Sequence, residues 1–290
     1  METLSLLWSM MAEGILISFA SAIFLPLIGG LLYLRRQAFL GVAVPQFSAA
    51  GIAAGLALLP TFPSLQQSFL DHGHPPLSYL FLFAGGAAGL ALLIFAWIEK
   101  RSRHASVEGH MAAGFALAGA ASLIFLEWSP SGGTLVETLQ RGSVVVADHH
   151  ALTIVLAVFG LIALLQWRYW RGFLLVSFDR DAAHVQGYGP ATYDLLFHIM
   201  AGSAIGIGVM TLGPVLVFGL LFLGPWMSRP LAHSIRQFFA LIVLNSLLAT
   251  ALAWPISFHL DLPYGPVTVA VLALLAAVAS VAHKLRPRRG

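Results

Sequence analysis

The chain has 290 residues, of which 59% are hydrophobic and only 9% charged, against roughly 25% charged in an ordinary soluble domain. A soluble fold would have to build its water-facing surface from apolar side chains, so that class is excluded and lipid is the solvent that accepts them. The net charge of +3 fits basic loops flanking a membrane rather than nucleic-acid binding, and the absence of cysteine excludes disulfides, thiolate metal sites and thiol redox chemistry.

A spanning helix needs about 20 mostly apolar residues, which leaves room for eight or nine spans in one domain, 1–290, and for no soluble domain beside them. Apolar runs fall at 8–34, 39–60, 77–98, 110–127, 151–174, 191–211, 214–228, 235–257 and 264–285. The first lacks a basic flank at its start and reads as a retained span rather than a cleaved leader. Pro45 is expected to break the second run locally. In the third, Gly85-Gly86-Ala87-Ala88-Gly89 lets a neighbouring helix approach closely. Only Leu212, Gly213 and Pro214 separate the sixth run from the seventh, so the seventh reads as short or interrupted. Such a break is tolerated where the backbone is buried in protein or lines a cavity. Two linkers, 61–76 and 128–150, are long, and the second is expected to hold a short surface helix at 142–147.

Basic residues mark the ends of alternate spans: Arg35 and Arg36, then Lys100 and Arg101, Arg168 and Arg171, Arg229 and Arg236, and finally Lys284 and its C-terminal neighbours. Nine crossings put all of these on one side and only Arg141 on the other. The positive-inside rule then makes the crowded side cytoplasmic, with the N-terminus outside and the C-terminus inside. Eight crossings would break that agreement. Trp8, Trp128, Trp167 and Trp170 fall near the predicted membrane interfaces, where an amphipathic ring is at home.

The only lysines, Lys100 and Lys284, lack the preceding glycines of a GxxxxGK(S/T) phosphate loop. If ATP drives the chain, a separate subunit supplies the hydrolysis. Acidic residues within the spans are few, Glu13 near the outer end of the first and Asp194 at the cytoplasmic start of the sixth. That scarcity weakens, without excluding, the alternative of an ATP-independent secondary transporter or channel. The polar stretch 178–187 lies between two spans. Asp181 to Gly187 reads as a short helix closed by glycine, with acidic residues at its start to suit the helix dipole. On the residues alone this is equally a solvated connecting loop or a coupling helix, a rigid knob that docks in a groove of a cytoplasmic motor.

Four segments in register resemble the zinc, manganese and iron permeases of the ABC-3 family. Phe178, Asp179, Asp181, Ala183 and Gly187 match a motif running Phe-Asp-Pro-Glu-x-Ala-x-x-x-Gly, with Asp181 for the glutamate and Arg180 for the proline. Arg35-Arg36 through Gly41 is similar to an Arg-Arg-x-x-x-x-Gly junction after the first span. Gly213 to Leu221 is similar to Gly-x-Leu-Leu-Val-x-Ala-Leu-Leu, and Asp261 to Pro266 to an Asp-x-Pro-x-Gly-x turn before the last span. The resemblance implies an all-α, type II importer-like permease bundle of about nine spans that does no covalent chemistry and keeps no bound cofactor. It implies a homodimer that receives a divalent metal from an extracytoplasmic binding protein, zinc ahead of manganese or iron. Paired with a cytoplasmic ATPase, it would move the ion by alternating access. The knob, within 175–190, would then use Gly187 for a sharp exit, Ala183 for close packing, Asp179 and Asp181 for polar contact, and Phe178 beside them.

The second span departs from that pattern. The family follows its junction with Asp-x-x-x-His, a carboxylate and an imidazole on one helix face suited to Mn²⁺ or Zn²⁺. Here those positions hold Val42, which cannot ligate, and Gln46, which offers one neutral oxygen. Three readings stay open: a pathway site built from other groups, a substrate that is a chelate or another small solute, or a paralogue with altered transport. Gln46 and Ser48 are expected to face the pathway. His198 either lines it or is a hydrogen-bonded packing residue. Replacement ligands could come from the outer linkers, His72 and His74 in the first and Asp148, His149 and His150 in the second, a donor set that suits Zn²⁺. Short polar loop tips also carry histidine without any metal, and His149 and His150 suit a lipid interface.

Overall fold

The computed structural model describes residues 2–72, 75–101, 107–129 and 149–285. Among them every regular element is helical, as the lipid solvent demands of a chain that must satisfy its backbone internally. The elements are α1 (Glu2–Leu34), α2 (Leu40–Leu58), α3 (Pro63–His72), α4 (Leu77–Arg101), α5 (Val107–Trp128), α6 (His149–Phe178), α7 (Arg180–Val185), α8 (Pro190–Leu212), α9 (Pro214–Leu231), α10 (Ile235–Leu260) and α11 (Tyr264–Leu285). Eight are long and apolar enough to cross a membrane: α1 from Met11, α2 extended to Thr61, α4, α5, α6, α8, α9 and α10. The apolar stretch of α11, Tyr264–Val278, is shorter. Eight of the expected eight to nine spans are therefore present among the described residues. The expected surface helix at 142–147 lies outside the described residues.

Burial separates the centre from the rim. Of the crossing segments, 78% of α8, 67% of α2 and 61% of α1 is buried, against 22% of α5 and 28% of α4. The outer helices α4 and α5 carry exposed apolar side chains, among them Leu82, Leu90 and Leu117. The α4 glycines find their partner in α8, antiparallel. A Cβ on Gly206 would stand 2.6 Å from the Gly85 Cα, and one on Gly202 would stand 3.1 Å from the Gly89 Cα. Only backbone fits between these helices, and close approach of this kind stands in for the hydrophobic drive that lipid cannot supply. Gly206→Leu is expected to force α4 and α8 apart at a cost of about 2–3 kcal/mol or more. The check is loss of the monodisperse peak in size-exclusion chromatography, and a variant that elutes and melts like wild type would refute it.

The interruption before α9 is real and buried. Gly213 adopts φ 80° and ψ 159°, Pro214 restarts the helix at its first turn, and Gly219–Leu223 forms a π-helical turn. Leu212 and Leu216 on either side are almost fully buried. The π turn packs on α1, where a Cβ on Gly29 would come within 2.3 Å of the Leu221 carbonyl oxygen. The break expected at Pro45 is absent, because α2 runs unbroken from Leu40 to Leu58. Proline removes one donor and crowds the carbonyl four residues back, which here belongs to Gly41 in the first turn. That turn is already closed by tighter bonds such as Val42 N–H to Phe39 O at 3.0 Å, so the helix absorbs the ring.

Candidate coupling site and translocation pathway

The polar stretch after α6 folds as a capped helix, one residue longer at its start than the sequence suggested. Asp179 has extended backbone (φ −150°, ψ 104°), and its Oδ1 accepts from the N–H groups of Asp181 at 3.0 Å and Ala182 at 2.9 Å. These are orphan donors of a helix start, and Asp is among the residues best suited to satisfy them. Asp181 in the first turn meets the positive end of the helix. At the other end Gly187 adopts φ +82°, its N–H donates to His184 O at 3.1 Å, and the Tyr188 N–H donates to Ala183 O at 3.0 Å. This pair of bonds is the Schellman closure, which needs a left-handed residue and favours glycine. Both ends of α7 are therefore fixed by residues within the motif itself.

The side chains divide differently from the sequence reading. Ala183 is fully buried, so the close packing it provides is within its own chain. What α7 displays is Val185, 87% exposed, while Phe178 at the end of α6 is 58% exposed.

The knob is tied to the bundle through one carboxylate. Arg35 follows α1 and its side chain is only 7% exposed. Its Nη1 donates to Asp194 Oδ1 at 2.8 Å, its Nε donates to Ser177 Oγ at 3.1 Å, and its Cζ sits 4.2 Å over the Phe197 ring. The other Asp194 oxygen accepts from Arg180 Nη2, at the first position of α7. Asp194 thus joins the end of α1 and the start of α7 to the first turns of α8, and Arg35 adds the end of α6 through Ser177. Desolvation draws the Arg35 pKa below its ordinary value and Asp194 opposes that pull. A guanidinium paired in this way keeps its charge. The chain leaves α1 through Arg36, left-handed at φ 59°, with Gln37 N–H donating to Leu32 O at 2.9 Å.

His198 lies one turn after Asp194. Its Nδ1 is 2.6 Å from the Asp194 carbonyl oxygen, while its Nε2 is buried with no partner. It lines a cavity of about 380 Å³ together with Gln37, Glu99, Arg180 and Asp194. Gln46 and Ser48 do not line that cavity. Ser48 is fully buried with an unpartnered Oγ, and Gln46 is half-buried against α5 near Gly119. The structure brings His198 to the start of α7 and does not group it with those two. Of the candidate metal ligands, His149 and His150 are exposed at the start of α6. His74 and Asp148 lie outside the described residues, and His72 ends α3 with its side chain also outside them. Among the described residues no three histidine, aspartate or glutamate side chains cluster in a way that would hold a metal.

Sequence reading had Arg35 as a topology marker and Asp194 as an isolated acid. Their pairing was missed, although a carboxylate in the first turns of a span signals a partner, because an unpaired one is costly there.

The sequence model of the ABC 3 transport family matches residues 7–283. The chain is 25% identical over 268 residues to the zinc transport system membrane protein TroC of Treponema pallidum, covering 91% of this chain and 85% of that one. It is 23% identical over 197 residues to a Haemophilus influenzae protein named "Probable iron transport system membrane protein", covering 68% of each. Its fold is similar to that of PsaBC from Streptococcus pneumoniae, solved in complex with Fab, with TM-score 0.75, 18% identity, and coverage of 92% of this chain and 90% of that one. With a match that runs almost end to end and a bundle to carry it, the chain belongs to the ABC 3 transport family and is a multi-pass membrane permease of the ABC type.

Proposed function

We propose that this permease imports a divalent metal ion, zinc ahead of manganese or iron, by alternating access in a homodimer. Its ion comes from an extracytoplasmic binding protein and its energy from a separate cytoplasmic ATPase. The N-terminus lies outside and the C-terminus in the cytoplasm. The observation that carries the reading is the doubly capped α7, held to the bundle by Asp194 and displaying Val185, with Phe178 exposed at the end of α6 just before it. A rigid helix with an exposed apolar tip, anchored on three other elements, suits transmission of a mechanical stroke. The similarity to TroC supports zinc, and the similarity to the Haemophilus protein keeps iron in the comparison. Asp179 and Gly187 shape the knob, Asp181 offers it a polar contact, and Ala183 seats it.

The ion leaves past His198, in the cavity beside the coupling helix, after passing Gln46 and Ser48 in α2. His72, His74, Asp148, His149 and His150 receive it on the outer side. Reconstitution with the ATPase subunit and the binding protein tests the reading. Proteoliposomes are expected to accumulate radioactive Zn²⁺ only with ATP inside the assay, with excess Zn²⁺ competing better than Mn²⁺ or Fe²⁺. Uptake without nucleotide or partner would refute the ATP-driven mechanism. Uptake unchanged by alanine at all four of His72, His74, His149 and His150 would remove the outer relay.

A further inference from the structure

α6 has 30 residues, about 45 Å of helix at 1.5 Å per residue, against about 30 Å of hydrocarbon in a bilayer. Its last turns therefore stand at the lipid boundary or beyond it, and they carry Trp167, Arg168, Tyr169 and Arg171. Together with Tyr188, just past the coupling helix, and Tyr193 of α8, these residues line a cavity of about 470 Å³. Gly172 lets the Tyr193 ring pack directly on the α6 backbone and form one wall, since a Cβ there would stand 2.2 Å from that ring. Tyr193 in turn sets its ring edgewise to Tyr169, with centroids 6.0 Å apart, and to Tyr188 at 5.7 Å.

The charges in this cavity are of one sign. Arg168 and Arg171 are exposed and no carboxylate lines the site. Among the described residues neither arginine has an ion-pair partner, while Arg35 and Arg180 share Asp194. Arg168 Cζ rests 5.4 Å from the Tyr169 ring centroid, which holds one guanidinium beside an aromatic wall. The helix face below continues the pattern. Leu161 and Leu164, each 58% exposed, precede Arg168 and Arg171 at spacings of three, four and three, which is one face of a helix. Trp167, 78% exposed, stands where that face turns from apolar to basic. Apolar, then aromatic, then cationic along one stripe is the profile of a phospholipid from its chains to its head.

We propose that this cavity binds the phosphate headgroup of an anionic phospholipid, with Arg168 and Arg171 on the phosphate and an acyl chain along Leu164 and Leu161. The stripe is what favours lipid over an acidic face of a partner protein, because a partner in water would meet the arginines but not the leucines below them. Basic pockets of this kind on the cytoplasmic side recognise anionic headgroups. The proposal rests on the orientation proposed above, which puts this end of α6 at the cytoplasmic face, and it stands apart from the choice of ion.

Delipidated full-length protein, titrated with phosphatidylglycerol or phosphatidylcholine, tests it by native mass spectrometry and by melting in the same detergent. Wild type is expected to retain phosphatidylglycerol and to melt higher with it than with phosphatidylcholine. Arg168→Gln with Arg171→Gln should bind phosphatidylglycerol on the order of 30-fold more weakly and lose that melting gain, at about fivefold for each arginine. Arg229→Gln with Arg236→Gln, neutralising two exposed arginines elsewhere, should keep both. Arg168→Lys with Arg171→Lys should keep the lipid preference, which separates charge from any damage to the fold. The proposal is overturned if the glutamine pair binds phosphatidylglycerol like wild type, or if the lysine pair loses as much as the glutamine pair. Equal effects of the two lipids would overturn it too, as would protection by inorganic phosphate alone. Loss of the ATPase subunit with lipid binding intact would assign the arginines to that partner instead.

Discussion

Asp194→Asn is expected to destabilise the permease by about 3–5 kcal/mol, the cost of leaving a buried cation without its partner. Arg35 is 7% exposed at its side chain and Asp194 16%, so water cannot replace the lost charge. Arg180 is 58% exposed, and Arg180→Gln should cost no more than about 1 kcal/mol, since the ion pair it removes is screened by solvent and Arg35 still partners Asp194. The two substitutions remove bonds to the same carboxylate, and burial alone separates their effects. Melting of the purified protein in detergent measures both, with Arg35→Leu and Asp194→Leu combined as a third variant. The double variant should recover much of the loss, because it leaves no charge stranded. An Asp194→Asn variant that melts within a degree of wild type would mean the carboxylate does not anchor the knob. Arg35→Lys is not a conservative change here. One ammonium cannot reach Asp194 and Ser177 while lying flat on Phe197.

Val185→Asp should cut ATP-driven transport by roughly 30-fold while the partner ATPase keeps hydrolysing. A central apolar anchor in an interface is worth about 2 kcal/mol or more when lost. Val185 is 87% exposed on a helix closed at both ends by its own caps, so an aspartate there meets solvent in the isolated chain and leaves the fold alone. Phe178→Ser should act in the same direction. Ala183 is the wrong place for this experiment. It is fully buried, and a larger side chain there would distort the knob and confuse misfolding with uncoupling. Transport and hydrolysis are measured together in proteoliposomes. A Val185→Asp variant that moves its ion at the wild-type rate per ATP would remove α7 from the coupling role.

The knob was legible in the sequence because everything that shapes it is local. The N-cap, the first-turn acid and the left-handed glycine lie within nine residues, from Asp179 to Gly187, and the bonds that close the helix reach only as far as the Tyr188 N–H. The interruption at Gly213-Pro214 was legible for the same reason. Pro45 misled because proline's effect depends on where in a helix it falls, and here the carbonyl it crowds, that of Gly41, lies in the first turn of α2. The pathway residues were not legible. Whether Gln46 faces an ion or α5, and whether His198 meets the coupling helix or the middle of the bundle, depends on how separate helices rotate against each other.

By itself the sequence determined that this chain lives in lipid, that it crosses as helices, and that the polar stretch 178–187 holds a short helix closed by glycine. Each of these follows from composition or from hydrogen bonds that close within a few residues. Only the tertiary structure decided that Arg35 finds Asp194 across 159 positions, that Gly85 and Gly89 lie against Gly206 and Gly202, and that Ala183 turns inward while Val185 turns out. In lipid the apolar surface of one helix is as good as another's. The choice of neighbour therefore rests on a few close backbone contacts and paired charges, and those exist only once the helices have met.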